Sequence, residues 1–192
     1  MTTVDTDDEL VALLRIRAED PLSRVDTPIA PVIPLNLCAT PEMLTFTELA
    51  LGFALHPFLK RIYSEVANGG FGPGYGLLAL ADTYRDGHRL PWTYHEFRKT
   101  GWPDRILPLW DWGDAIWSCI DGSSTEGAII THDTSGSTCT HFTIRSWLTA
   151  WANGVDMWRE IYDDQEKTII NPFTRKPIAT KVRGRAKGVR RI

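Results

Sequence analysis

The chain has 192 residues, 43% of them hydrophobic, and a formal net charge of −3, which suits a single domain with a substantial core. Its first residues are polar and acidic, and no uncharged apolar run approaches the roughly 18 residues of a membrane-spanning helix, so we expect a cytoplasmic protein that neither carries a secretory signal nor meets a membrane. Three cysteines and five histidines at wide spacing form neither a disulfide framework nor a zinc motif, so no metal site is expected.

The N-terminal residues are typical of a helix followed by a proline-rich linker. Thr6 and Glu9 have the spacing of a capping box, and the apolar stripe that follows them stops near Pro21. Five prolines lie between residues 21 and 41, each without a backbone donor and each favouring an extended residue before it. Residues 1–40 are therefore predicted to form an N-terminal helix and a linker that runs over the surface.

Residues 41–166 are predicted to form one domain. Its predicted helices are Pro41 to Gly52, Pro57 to Asn68, Thr93 to Lys99 and, at sustained helical spacing, Thr143 to Ile161. Its predicted strands are Ile106 to Trp112, Ala115 to Asp121, Gly127 to His132 and Cys139 to Phe142. The turns between the first three strands are short enough for hairpins. We therefore predict an α+β fold, with a central antiparallel sheet packed by N-terminal helices and one long C-terminal helix.

The basic residues are concentrated at the C-terminus. Residues 167–192 hold nine Lys or Arg and no Asp or Glu, so the other twelve basic residues stand against all 24 acidic ones in residues 1–166, a formal charge of −12. Residues 1–166, which we call the acidic body, therefore repel nucleic acid and attract a basic partner. A requirement for solubility alone explains the same negative charge. The basic tail is expected to be partly disordered, and it either contacts nucleic acid phosphates or folds back on the acidic body.

Four sequence segments form a recognisable set. They are ELALGF at residues 48–53, NGGFG at 68–72, LPLWDWGD at 107–114, and SWL at 146–148 leading into Trp151. Their order and spacing resemble the SUKH superfamily, the Smi/Knr-type proteins, over roughly residues 41–162. His56 interrupts the Leu-Pro junction that is common in this family, so the cap of the following helix is expected to differ there.

The resemblance implies a small α+β fold with a central antiparallel sheet, no catalytic residues and no cofactor. Many bacterial relatives are immunity proteins, which bind and neutralise toxins, often nucleases, that competing cells exchange. Fungal relatives are regulatory binders instead. The acidic body agrees with immunity, because a nuclease site that holds phosphate is basic and an acidic surface complements it.

The candidate partner-binding surface is centred on residues 82–126. Trp110 and Trp112 share a face of their predicted strand, since strand side chains alternate; exposed tryptophans anchor interfaces, but most large aromatic residues of a small domain fill its core. Aspartates near these turns either contact the partner or bond the local backbone. The complete predicted set is Tyr75, Asp82, Asp86, Glu96, Trp110, Asp111, Trp112, Asp114, Asp121 and Glu126.

A metal-dependent hydrolase is the competing class, because neighbouring carboxylates can also ligate a metal or transfer protons. Against it, the His132-Asp133 pair lacks the helical histidine partners of a metal site, and the serines near residues 123 and 135–137 lack a nucleophile elbow. We therefore predict no enzymatic activity. The expected function is immunity, through occlusion of a basic cognate toxin, and the alternative is an intracellular regulatory scaffold of the fungal kind.

Overall fold

The computed structural model describes residues 6–26, 35–80, 89–171 and 173–190. The helices in these ranges are α1 (Asp7–Glu19), α2 (Pro41–Leu51), α3 (Pro57–Glu65), α4 (Leu90–Lys99), α5 (Ile144–Ala152) and α6 (Met157–Ile161). The strands are β1 (Ile106–Asp111), β2 (Trp117–Asp121), β3 (Ala128–Asp133), β4 (Gly136–Thr143), β5 (Tyr162–Ile170), β6 (Pro177–Ala186) and β7 (Val189–Arg190). The fold is α+β, as predicted. No helix in the described ranges is both long and apolar enough to cross a membrane.

The N-terminal helices begin where local signals place them. Thr6 and Glu9 form the reciprocal capping box of α1, with hydrogen bonds of 3.2 and 3.0 Å between side chains and backbone amides. Proline occupies the first turn of α2 and of α3, where its missing N–H would be unpaired in any case. Nδ1 of His56 caps α3, because it accepts the backbone N–H of Phe58 at 3.2 Å. The residue that interrupts the Leu-Pro junction thus supplies the helix cap.

Strands β1 to β4 form an antiparallel sheet in sequence order, and β7 adds to the free side of β4. The register places Asp111 opposite Trp117 and Ile106 opposite Asp121. The β1–β2 hairpin and the β2–β3 turn therefore lie at opposite ends of the sheet. The predicted central antiparallel sheet is confirmed, with β4 starting at Gly136, earlier than the sequence pattern indicated.

Helices cover both faces of the sheet. On one face α1, α3 and α5 pack together, and the buried rings of Trp110 and Trp147 lie 6.0 Å apart. On the other face α4 places the ring of Phe97 5.2 Å from that of Trp117. Trp110 lies opposite Ser118, and strand side chains alternate, so Trp110 and Trp117 belong to different faces.

The predicted single long helix over residues 143–161 is wrong. Gly154 separates α5 from α6 with a left-handed φ of +81°, and Asp156 then caps α6 by accepting a backbone N–H at 3.3 Å. A left-handed glycine ends a helix without the strain that a Cβ adds. Trp151 and Trp158 both pack on the core, so the helical spacing of apolar residues continues through this break. Periodicity alone therefore predicts one continuous helix.

The described residues of the tail, which the sequence predicted to be partly disordered, carry strands. β5 and β6 pair as an antiparallel hairpin, and β7 pairs with β4. The predicted domain boundary at residue 166 falls within β5. Lys187 Nζ donates to the carbonyl of Arg159 at 2.6 Å and lies 3.7 Å from Asp163. The chain therefore folds back on the acidic body at the base of this hairpin.

Candidate functional site

The glycine-rich loop at residues 68–76 is docked on the β1–β2 hairpin. The backbone N–H of Tyr75 donates to the carbonyl of Asp111 at 2.9 Å. Gly74 has a φ of +59°, and a Cβ at this position would overlap the same carbonyl oxygen. Glycine is required at this position because backbone meets backbone directly and because the left-handed φ disfavours a side chain.

The docked loop brings four of the predicted partner-binding residues together, Tyr75, Asp111, Trp112 and Asp114; we call them the hairpin face. The ring of Tyr75 lies so close to Gly113 that an added Cβ would sit 3.3 Å away. Asp111 Oδ1 accepts the N–H of Gly113 at 2.8 Å, and no bond joins its second oxygen to another described residue. Asp114 is exposed with a φ of +50°, which aspartate tolerates better than most residues. The hairpin face therefore presents carboxylate oxygen to solvent.

A cleft of about 650 Å³ opens next to Trp112. We call it the tryptophan cleft, and its main lining residues are Arg17, Leu22, Asp26, Trp112, Asp156 and Trp158. The rings of Trp112 and Trp158 lie 5.6 Å apart, and Trp112 Nε1 donates to Ser118 Oγ at 2.8 Å, which fixes its orientation. Leu22 is 86% exposed. Aromatic, aliphatic and acidic groups thus meet in one concave surface.

A largely buried ion pair lines the tryptophan cleft. The guanidinium of Arg17 lies 4.2 Å above the ring centroid of Trp151 and 3.5 Å from Asp26 Oδ1. The indole N–H of Trp151 donates to the same oxygen at 3.1 Å. Burial raises the pKa of the Asp26 carboxyl, while Arg17 and hydrogen bonds from Gly74 and Trp151 act in the opposite sense. The chain itself therefore holds a guanidinium between a tryptophan face and a carboxylate.

The other predicted acidic residues lie elsewhere. Asp121 and Glu126 are at the far end of β2 from the hairpin face, and the Asp121 carboxylate accepts the N–H of Ser123 at 2.9 Å within a turn. Glu96 belongs to α4 and pairs with Lys99 at 2.5 Å. The acidic surface predicted from the sequence is therefore divided: its hairpin end adjoins one cleft, whereas Asp121 lines a separate cavity at the other end of β2.

The prediction of Trp110 as an exposed anchor is wrong. Its side chain is 0% exposed, because α5 covers this part of the sheet and places Trp147 against it. Trp112 lies beyond the end of β1 and is only partly covered. Asp82 and Asp86 lie outside the described residues, so their role stays a prediction.

Sequence reasoning predicted only Trp112 among the named residues of the tryptophan cleft, and those it missed include Asp26, Asp156 and Trp158. The sequence pattern assigns Asp26 to the end of a helix and its linker, and Asp156 and Trp158 to one long helix, so it does not bring them together. Local signals could have placed the last two. Asn153-Gly154 is a helix stop, and Asp156 stands where an N-cap begins the next helix.

A second cavity, of about 510 Å³, is lined in part by His132 and Ser137. Nδ1 of His132 and Oγ of Ser137 are 2.8 Å apart, and burial lowers the pKa of His132, with Asp133 acting in the opposite sense. Asp133 points to the other face of β3, where its carboxylate accepts the hydroxyl of Tyr162 at 2.9 Å. No hydrogen bond joins His132 to a carboxylate within the described ranges, so this pair lacks the orienting acid of a hydrolase triad.

In the part of the chain that the structure describes, no three His, Cys, Asp or Glu side chains are placed to share a metal ion. No protein-family model matches the chain, and the comparisons with curated proteins and with solved structures found no match either. We therefore infer function from the hairpin face and the tryptophan cleft.

Proposed function

We propose that this chain is a SUKH-type immunity protein that binds a basic cognate toxin and neutralises it by occlusion, without catalysis and without a cofactor. The observation that carries the proposal is the tryptophan cleft, where two indole rings and carboxylates lie together beside the acidic hairpin face. Aromatic anchors in a concave pocket, surrounded by complementary charge, are typical of binding hot spots.

The packing of three of the four family-like segments supports the resemblance to the SUKH superfamily. Gly72 of NGGFG approaches Trp110 of LPLWDWGD so closely that a Cβ would lie 2.6 Å from the indole nitrogen. Trp110 in turn packs on Trp147 of SWL. Segments far apart in sequence thus depend on one another in space, which gives a physical reason for their occurring as a set.

A lysine or arginine side chain of the toxin suits the tryptophan cleft. Stacking of a cation on Trp112 or Trp158 stabilises a complex by about 0.5–2 kcal/mol. The side chain of Asp156, which is 58% exposed, supplies a carboxylate beside these rings. Arg17 and Trp151 already adopt the same arrangement within the chain.

The charge of the body adds attraction at longer range. Residues 1–166 carry a formal −12, which steers a basic partner towards the chain and speeds their encounter. A nuclease holds phosphate with basic side chains, so its active-site surface complements the hairpin face. Once that surface is bound here, the nucleic acid substrate is excluded.

Removing two charges from the hairpin face tests this proposal. In the double variant Asp111→Asn, Asp114→Asn, the amide oxygen still accepts the turn hydrogen bond, and asparagine tolerates the left-handed φ at residue 114. We expect the affinity for a cognate toxin domain to fall about tenfold, mainly through slower association. Surface plasmon resonance at about 0.15 M salt, where the Debye length is about 8 Å, measures this effect.

The matched control removes the same charge elsewhere. The double variant Glu42→Gln, Glu126→Gln also loses two carboxylates, both exposed and neither lining the tryptophan cleft. Its affinity should change by less than about twofold at this ionic strength. If the control loses as much affinity as the hairpin-face variant, or if that variant binds as well as the parent chain, the assignment of the hairpin face is wrong.

A further inference from the structure

The C-terminal hairpin of β5 and β6 is an arm fixed at one end. Its register runs from Tyr162 opposite Ala186 to Ile170 opposite Pro177, a strand length of about 27 Å at 3.4 Å per residue. At its base, β5 follows α6 directly and β7 continues into the main sheet. We call this hairpin the basic arm, and we call its turn, residues 170, 171 and 173–177, the arm tip.

Hydrogen bonds within the arm tip hold its turn. Asn171 Oδ1 accepts the backbone N–H groups of Phe173 and Thr174 at 2.8 and 3.0 Å. The backbone carbonyl of Asn171 accepts the N–H of Arg175 at 2.8 Å, and the backbone N–H of Asn171 donates to the carbonyl of Lys176 at 2.9 Å. The backbone of the arm tip is therefore pre-organised, which lowers the entropy lost when a ligand binds there.

The arm tip exposes an aromatic ring and two cations together. The side chain of Phe173 is 94% exposed and that of Ile170 is 57% exposed. Arg175 and Lys176 are exposed as well. A phenylalanine that is almost wholly in solvent contributes little to the core, and its ring is free to contact a ligand beside the two cations.

The positive charge of the basic arm is concentrated away from its base. The register sets Asp164 opposite Arg183 and Glu166 opposite Lys181, so the formal charges of these positions balance. From residue 167 to 177 the chain has three cations, Lys167, Arg175 and Lys176, and no acid. The arm length of about 27 Å is more than three times the Debye length of about 8 Å at physiological salt. Salt therefore screens the arm tip from acidic groups at its base.

We propose that the basic arm binds single-stranded nucleic acid at its tip. Phe173 stacks on an unpaired base, and Arg175 and Lys176 contact the phosphates on either side. Stacking on an exposed aromatic ring suits any base, because every base has a π-face. The contact is therefore independent of sequence and dependent on salt. This activity is separate from toxin binding, which uses the tryptophan cleft.

An anionic membrane is a poorer ligand for the arm tip. A single phenylalanine buries far less apolar surface than a myristoyl chain, and even a myristoyl chain alone binds membranes only marginally. The polar side chains of Asn171 and Thr174 flank Phe173 in the turn, and inserting them into lipid is unfavourable. A base and its phosphates match the ring and the cations without that penalty.

Fluorescence anisotropy with a labelled oligothymidylate of about 20 nucleotides, titrated with the full chain at two salt concentrations, tests the proposal. We expect the logarithm of the binding constant to fall linearly with log salt, at a slope of about −1.4 for the two phosphate contacts. Phe173→Ala should weaken binding at least about fivefold with the slope unchanged, whereas Phe173→Trp should keep it. Arg175→Ala, Lys176→Ala should weaken it at least about tenfold and reduce the slope.

Phe46→Ala is the matched control, because Phe46 is also exposed, at 63%, but lies on α2. It should bind the oligonucleotide as the parent chain does. Three results would overturn the proposal: no salt-dependent binding, binding that neither tip variant weakens, or tip-dependent binding to phosphatidylserine vesicles that exceeds binding to the oligonucleotide. Toxin affinity measured on the same variants should stay unchanged, so that failure here is distinguishable from failure of the proposed function.

Discussion

Replacing Gly74 with alanine is expected to lower the free energy of unfolding by about 3 kcal/mol or more. Two effects combine at this position. The left-handed φ of +59° strains any residue that carries a Cβ, and the new Cβ would overlap the carbonyl oxygen of Asp111. That oxygen belongs to the backbone and accepts the N–H of Tyr75, so the loop must move off the hairpin to relieve the overlap. Urea unfolding followed by tryptophan fluorescence measures the loss.

Gly70→Ala separates strain from overlap. Gly70 has a φ of +81°, but among the described residues the atom nearest to an added Cβ would be Asn36 Nδ2 at 3.6 Å, an ordinary contact. The free energy of unfolding of this variant should fall by only about 1–2 kcal/mol, which is the cost of a left-handed residue that carries a side chain. Equal losses in the two variants would mean that docking on the hairpin does not demand glycine at residue 74.

Replacing Trp112 with alanine is expected to weaken toxin binding by at least about 2 kcal/mol, or roughly thirtyfold. The ring of Trp112 is held by its hydrogen bond to Ser118 and its contact with Trp158, and it is partly exposed in the tryptophan cleft. A rigid aromatic ring in a concave pocket loses little entropy on binding and excludes water from nearby charges. Calorimetric titration with the toxin domain gives the affinity, and far-ultraviolet circular dichroism checks that the variant is folded.

Trp92→Ala is the matched control for this variant. Trp92 lies on α4, is 53% exposed and does not line the tryptophan cleft. This substitution also removes a partly exposed tryptophan ring, but from a surface outside the tryptophan cleft. The affinity for the toxin should therefore stay within about twofold of that of the parent chain. A folded Trp112→Ala protein that binds as tightly as the parent, or a larger loss in Trp92→Ala, would remove the tryptophan cleft from the interface.

Elements with local signals were predictable from the sequence. The start of α1 follows from the capping box of Thr6 and Glu9, and α2 and α3 begin at their first-turn prolines. The strands of the main sheet follow from short apolar segments separated by turns. Each of these features depends on residues close together in the chain, so sequence alone carries the information.

Elements that depend on distant contacts were not predictable in the same way. The basic tail has few apolar residues and its sequence pattern predicts irregular structure, yet β5 and β6 pair from Tyr162 to Ile170 with one irregularity, and β7 joins β4. Trp110 and Trp112 look equivalent in sequence, but α5 covers the first and leaves the second at the edge of a cleft. Burial of a strand residue depends on which helix lies over it.

The candidate site was only partly predictable for the same reason. Tyr75, Asp111, Trp112 and Asp114 were chosen for their residue types and turn positions, and the docked glycine-rich loop brings them together. Asp26 and Trp158 come from segments on either side of the domain, and only the fold places them in one cleft. The far aspartate, Asp121, bonds its own turn instead.

We propose that this chain acts by binding and not by turnover. Titration of active toxin domain with the purified chain, followed by toxin activity and by the intact masses of both proteins, tests it most directly. We predict that activity falls in proportion to the chain added and reaches zero at one chain per toxin, with both masses unchanged. Complete inactivation by a small fraction of an equivalent, or a change in the mass of the toxin, would contradict the claim, because only a catalyst acts repeatedly.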